Sequence, residues 1–91
     1  MNDYMDDFEM QIDPEEPVFI ISVVSELVGL PVWTLRKLDE MGVVIAQRRG
    51  KRTRCYSKKQ MTQLAYIRFL LEDKKVNISG IKIILELDES R

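Results

Sequence analysis

Apolar positions are sparse before Val18 and then recur in groups whose spacing changes along the chain. Val18, Phe19, Ile20 and Ile21 form a short continuous run ending at Ser22, a residue suited to cap a helix whose inward face reads Val24, Leu27 and Val28 at i, i+3, i+4 spacing. Gly29 supplies the left-handed stop. Pro31 stands where a second helix starts, and Leu35, Leu38 and Met41 give that helix, over residues 32–41, a narrow apolar stripe before Gly42 ends it. Two short helices joined by a tight glycine-containing turn predict a helix-turn-helix.

After Gly42 the period shortens. Val43, Val44, Ile45 and Ala46 are β-prone, Arg49, Gly50 and Lys51 read as a turn, and Thr53 through Tyr56 return as a partner strand, which predicts a β-hairpin over residues 43–56. Ser57 and Gln60 stand in the relation of a capping box, and Met61, Leu64, Ala65, Arg68 and Leu71 follow at helical spacing, with the Arg68 stem expected along the apolar stripe. Asn77 or Ser79 caps a last helix, and Ile81, Ile84 and Leu85 close the core. No internal repeat is present. The order predicts a mainly α fold with a small β-hairpin, a winged helix-turn-helix domain over residues 18–91. Residues 1–17, with Pro14, Pro17 and few aliphatics, are expected to form an acidic, disordered tail.

Composition narrows the function. The chain has 91 residues, 45% hydrophobic and 32% charged, the profile of an ordinary globular domain. No apolar run approaches the roughly 18 to 20 residues that span a bilayer, and the acidic N-terminus lacks the positive charge of a secretory signal, so a cytoplasmic protein without a membrane role is expected. A single cysteine, Cys55, makes no internal disulfide and reads as a buried filler, and the absence of histidine removes Cys/His zinc sets and the commonest general base. No catalytic, metal or cofactor site is expected.

The formal net charge of −1 conceals a segregation. Residues 1–17 carry seven acids and no base, whereas residues 36–59 carry nine bases against Asp39 and Glu40, a net of +7. A basic block inside a compact domain is the footprint of a polyanion binder; its alternative is a solvated Lys/Arg face. Four bases in five residues at the hairpin tip, Arg48, Arg49, Lys51 and Arg52, suit a wing that tracks a phosphate backbone or enters a minor groove. Lys58, beside a helix N-terminus, is a further candidate phosphate contact. Tyr4, Phe8 and Ile12 recur every four residues among the acids, so the tail reads either as a solubilising segment or as one that docks on a partner or on the wing.

The blocks Ile21-Ser22-Val23 through Gly29, then Thr34-Leu35-Arg36, Asp39-Glu40 and Gly42, with Arg54-Cys55-Tyr56-Ser57 at the end of the wing, resemble the mercury-resistance-regulator (MerR) family of bacterial transcription factors. Residues 13–23 and Asn77-Ile78-Ser79-Gly80-Ile81-Lys82 are similar to its heat-shock repressor (HspR-like) branch. The resemblance covers roughly residues 13–87. It implies that Arg36 contacts DNA from the recognition helix, with a salt bridge to Asp39 or Glu40 as the alternative. Thr34 is a phosphate contact or a helix cap, Trp33 a DNA contact or a core residue, and Arg54 a wing contact or a packed stem. The chain departs from the family where tyrosines are common, at Lys37 and Leu38, so that Lys37 offers a point charge in place of a phenol, and Cys55 replaces a wing arginine.

The implied function is a sequence-specific double-stranded DNA-binding transcriptional regulator, nucleoid-associated and repressing, with the recognition helix in the major groove. Two alternatives remain open: an excisionase-like architectural protein, and an interaction module whose basic face docks an acidic partner such as a chaperone tail or an RNA polymerase subunit. Relatives usually continue into a long dimerisation helix, so this chain is expected to be a monomer free in solution and a dimer or array on DNA.

Overall fold

The computed structural model describes residues 12–89. In chain order it contains β1 (Phe19–Ile20), α1 (Ile21–Val28), α2 (Val32–Glu40), β2 (Gln47–Arg49), β3 (Thr53–Tyr56), α3 (Lys58–Glu72) and α4 (Ile78–Glu89). The strands form one antiparallel sheet in the order β1, β3, β2. The architecture is thus mostly helical with a three-stranded sheet, one strand more than the hairpin expected.

The extra strand comes from the first apolar run. Phe19 pairs with Tyr56 and Ile20 with Cys55, so this run covers the free edge of β3 instead of leading into a capped helix. Helix α1 therefore begins at Ile21 after an extended Ile20 with no side-chain cap, and Ser22, the expected cap, lies inside the first turn. Val24 and Val28 are buried as expected, but Leu27 is 63% exposed and does not belong to the inward face. Gly29 closes α1 in the left-handed conformation, and Ser25 Oγ donates to the Leu30 carbonyl at 2.6 Å, pinning the turn to α2.

Helix α2 ends in a Schellman arrangement: Gly42 at φ 75° donates to the Asp39 carbonyl, and Val43 N–H reaches back to Leu38. The following residues 43–46 were expected to be a strand, yet pairing begins only at Gln47. Two side chains take the place of a partner strand there. Ala46 N–H donates to Asp39 Oδ1, and Gln60 Nε2 donates to the Ile45 carbonyl at 2.6 Å. The alternation survives, with Val44 and Ala46 buried and Ile45 outward.

The capping box of α3 is present in both directions, with Gln60 N–H on Ser57 Oγ and Ser57 N–H on Gln60 Oε1. The buried stripe of α3 is Leu64, Ile67 and Leu70, flanked by Met61 and Leu71. Ala65 and Arg68 face outward. Arg68 lies over the backbone of Gly29, where a Cβ would stand 3.1 Å from its Nε. Asn77 rather than Ser79 caps α4, accepting from Gly80 N–H at 2.8 Å, and Ile81 closes a core that also holds Leu35, Leu38, Leu64 and Tyr56. Each such aliphatic side chain contributes about 1.5 to 3 kcal/mol of burial free energy.

The expected tail divides. Residues 1–11 lie outside the described residues. Residues 13–16 form a turn begun by Asp13, whose carboxylate accepts from Glu15 N–H and whose carbonyl accepts from Glu16 N–H. This turn rests on α3, because the Lys59 N–H, an open donor of the first helical turn, donates to the Pro14 carbonyl at 3.1 Å. The described structure therefore includes residues 12–17, ahead of the domain start expected at residue 18.

Candidate nucleic-acid interface

Helix α2 presents its sequence in two faces. Leu35 and Leu38 hold it to the core, while Trp33, Arg36 and Lys37 point outward. Trp33 is 66% exposed, which removes the core reading for it. Thr34 is the reverse case: it is 4% exposed, so its side chain supports the helix start and is not a projecting contact. The α2 N-terminus has no side-chain cap, so Thr34 does not cap it either; Thr34 N–H bonds instead to the Pro31 carbonyl. Neither Arg36 nor Lys37 has an ion-pair partner among the described residues, and Asp39, the partner considered for Arg36, is engaged elsewhere.

The wing is the β2–β3 hairpin, closed by Arg49 opposite Thr53 and turning through residues 50–52 with Gly50 at φ 63°. Lys51 and Arg52 stand exposed at its tip without an ion-pair partner among the described residues. The other wing cations are not equivalent to them. Arg54 is mostly buried and donates from Nε to Asp39 Oδ2 at 2.7 Å, so it acts as a packed stem and not as a free contact. Arg48, its cross-strand partner, reaches the same oxygen at 3.5 Å while half of its side chain stays exposed. Arg49 pairs with Glu16 at 3.5 Å, and Lys59 with Glu15 at 3.3 Å. Lys58, half-buried at the start of α3, has no ion-pair partner among the described residues.

Sequence reasoning passed over the role of Asp39. A signal was present: an acid in the last turn of a helix opposes the helix dipole, so it calls for compensation from elsewhere. The compensation is a pair of arginines and the Ala46 amide.

Beneath the wing, Tyr56 is fully buried and its hydroxyl has no hydrogen-bond partner among the described residues. Burial pushes its phenol from the ordinary 10.0 up to about 12, the Asp39 carboxylate pushes in the same direction, and Arg54 and Arg48 oppose it. Cys55 is buried beside it. Among the described residues no group of three His, Cys, Asp or Glu side chains gathers as a metal site would require, and no helix is long and apolar enough to cross a membrane.

Comparison with known proteins adds two findings. A family model described as MerR HTH family regulatory protein matches residues 19–88. A putative heat shock protein HspR from Streptomyces coelicolor is 37% identical over 78 residues, an alignment covering 86% of this chain and 52% of the relative. The chain thus spans about half the length of that curated relative.

Proposed function

The chain belongs to the MerR HTH family of regulatory proteins, and from that premise we propose that it is a transcriptional regulator that binds double-stranded DNA sequence-specifically and represses. The observation that carries this reading is the set of exposed cations without ion-pair partners on two adjoining elements: Arg36 and Lys37 on α2, Lys51 and Arg52 on the wing tip. An α-helix fits the major groove, and a hairpin beside it fits the flanking backbone or minor groove. In this reading Arg36 addresses a base edge or a phosphate, because a forked guanidinium matches both. Trp33 lays its exposed ring against sugar or a thymine methyl, and Lys37, Lys51, Arg52 and Lys58 meet phosphates. Arg48 and Arg49, paired with Asp39 and Glu16, stay outside this free set while those carboxylates hold them. Repression follows from the resemblance to the heat-shock repressor branch.

The protomer is a monomer in free solution and assembles on neighbouring DNA sites. The exposed large aliphatics of α4 are Ile83 and Leu87, one turn apart, whereas stable interfaces bury roughly 1,200 Å² or more in total. The deciding experiment is a titration of duplex DNA between about 50 and 200 mM salt: binding that weakens steeply with salt, and is tighter for a sequence selected from a random pool, supports the reading. Salt-independent or absent binding overturns it in favour of a protein-docking module.

A further inference from the structure

Arg48 and Arg54 face each other directly across the β2–β3 ladder. Two like charges in that relation repel, and in an isolated hairpin they would splay the strands. The structure places one carboxylate, that of Asp39, against both guanidinium groups, at 3.5 Å to Arg48 and 2.7 Å to Arg54. Its other oxygen accepts the Ala46 N–H that leads into β2. The Asp39 side chain is only 9% exposed, so this is a shielded junction and not a surface pair. Asp39 belongs to the last turn of α2, whose outward face carries Trp33, Arg36 and Lys37.

From this geometry we infer that Asp39 is a positioning residue for DNA recognition. It locks the wing at a fixed offset from the recognition helix, and it holds two of the wing's arginines out of the pool of cations free to bind phosphate. The inference rests on the DNA-binding reading above. Its two parts act in one direction. A fixed offset between helix and wing rewards a duplex whose base pattern and groove shape match both at once. One carboxylate shared by two guanidiniums cancels one of their two charges and lowers the attraction for any duplex at all, and specificity is the difference between those two affinities.

The test is Asp39→Asn in the full chain, which keeps the size and the acceptor for Ala46 N–H but removes the charge. Binding is compared on two probes, a duplex selected from a random pool by the unaltered protein and a random-sequence duplex. Asp39→Asn is expected to tighten binding to the random duplex at low salt, to steepen its log K against log salt slope by about 1 to 2, and to lower the preference for the selected duplex about tenfold or more. A merely structural role weakens both probes together and steepens nothing. A second variant, Arg54→Gln, breaks the lock while leaving Asp39 to pair with Arg48, so it lowers the preference without steepening the slope, and it decides the matter if Asp39→Asn does not fold. Unchanged preference in a folded variant overturns the inference while the DNA reading stands. Failure of the unaltered protein to bind either duplex overturns both.

Discussion

Glu15 and Glu16 occupy two cations of the basic face, and releasing them has a consequence that can be counted. Nine Lys and Arg lie between residues 36 and 59. Four are in ion pairs, Arg48 and Arg54 with Asp39, Arg49 with Glu16 and Lys59 with Glu15. The other five, Arg36, Lys37, Lys51, Arg52 and Lys58, have no ion-pair partner among the described residues. A free cation that meets a phosphate displaces a condensed counterion from DNA, whereas a paired one must first give up its carboxylate. With about 0.9 counterion released per contact, five free cations set a ceiling of about −4.5 on the slope of log K against log salt. The double variant Glu15→Gln/Glu16→Gln frees two more and moves that ceiling to about −6. Both pairs are exposed, so each is worth about 0.2 to 1 kcal/mol, and their loss tightens binding at low salt by about 2-fold to 30-fold. The four acids of residues 1–11 remain in both proteins, so chain length and distal charge do not differ. Fluorescence anisotropy with a labelled random-sequence duplex across about 50 to 200 mM salt reads both numbers. Equal slopes and equal low-salt affinities would refute the idea that residues 13–16 compete with DNA for the wing.

Three further outcomes are expected. Arg36→Ala lowers discrimination between selected and random duplex by about 1 to 3 kcal/mol, while Arg52→Ala weakens both alike and makes the slope about 1 shallower; equal losses for Arg36→Ala in a competition assay would demote it to a phosphate contact. Because burial pushes the Tyr56 phenol up to about 12, the folded chain keeps that proton after the unfolded chain, at 10.0, has lost it. The Tyr56 contribution to stability is therefore fully present below about pH 10 and is lost between about pH 10 and 12, at about 1.4 kcal/mol per pH unit. Tyr56→Phe removes that loss at little cost near neutrality, since the hydroxyl has no partner among the described residues, and denaturant titrations at neutral and alkaline pH check both halves; an identical alkaline loss in the variant would clear Tyr56. Sedimentation of the free protein should show a monomer, with cooperative loading on two sites about one helical turn apart; a stable free dimer would assign a larger interface to α4 than Ile83 and Leu87 suggest.

What the sequence alone determined were the features written by neighbours along the chain. The helix-turn-helix followed from Gly29, Pro31 and Gly42 around two apolar stripes, α3 from its capping box, and the basic wing from four cations around Gly50, because a cap, a left-handed residue or a turn is decided within a few residues. Even there the inward face was legible only in part: Leu27 and Ala65 satisfied the spacing yet face solvent, since which of several apolar residues is covered depends on what packs above it. The charge pattern marked the wing cations as a group, and the family resemblance left Arg54 open between a wing contact and a packed stem. Only the tertiary structure sorted them. Arg54 meets Asp39 across 15 residues and Arg49 meets Glu16 across 33. The first apolar run became a strand because β3 offered an open edge, and residues 43–46 failed to become one because Asp39 and Gln60 had already taken their backbone groups. An ion pair or a strand edge forms where the chain closes on itself in space. That closure is the joint result of every packed residue in the core and has no local trace in the order of the letters.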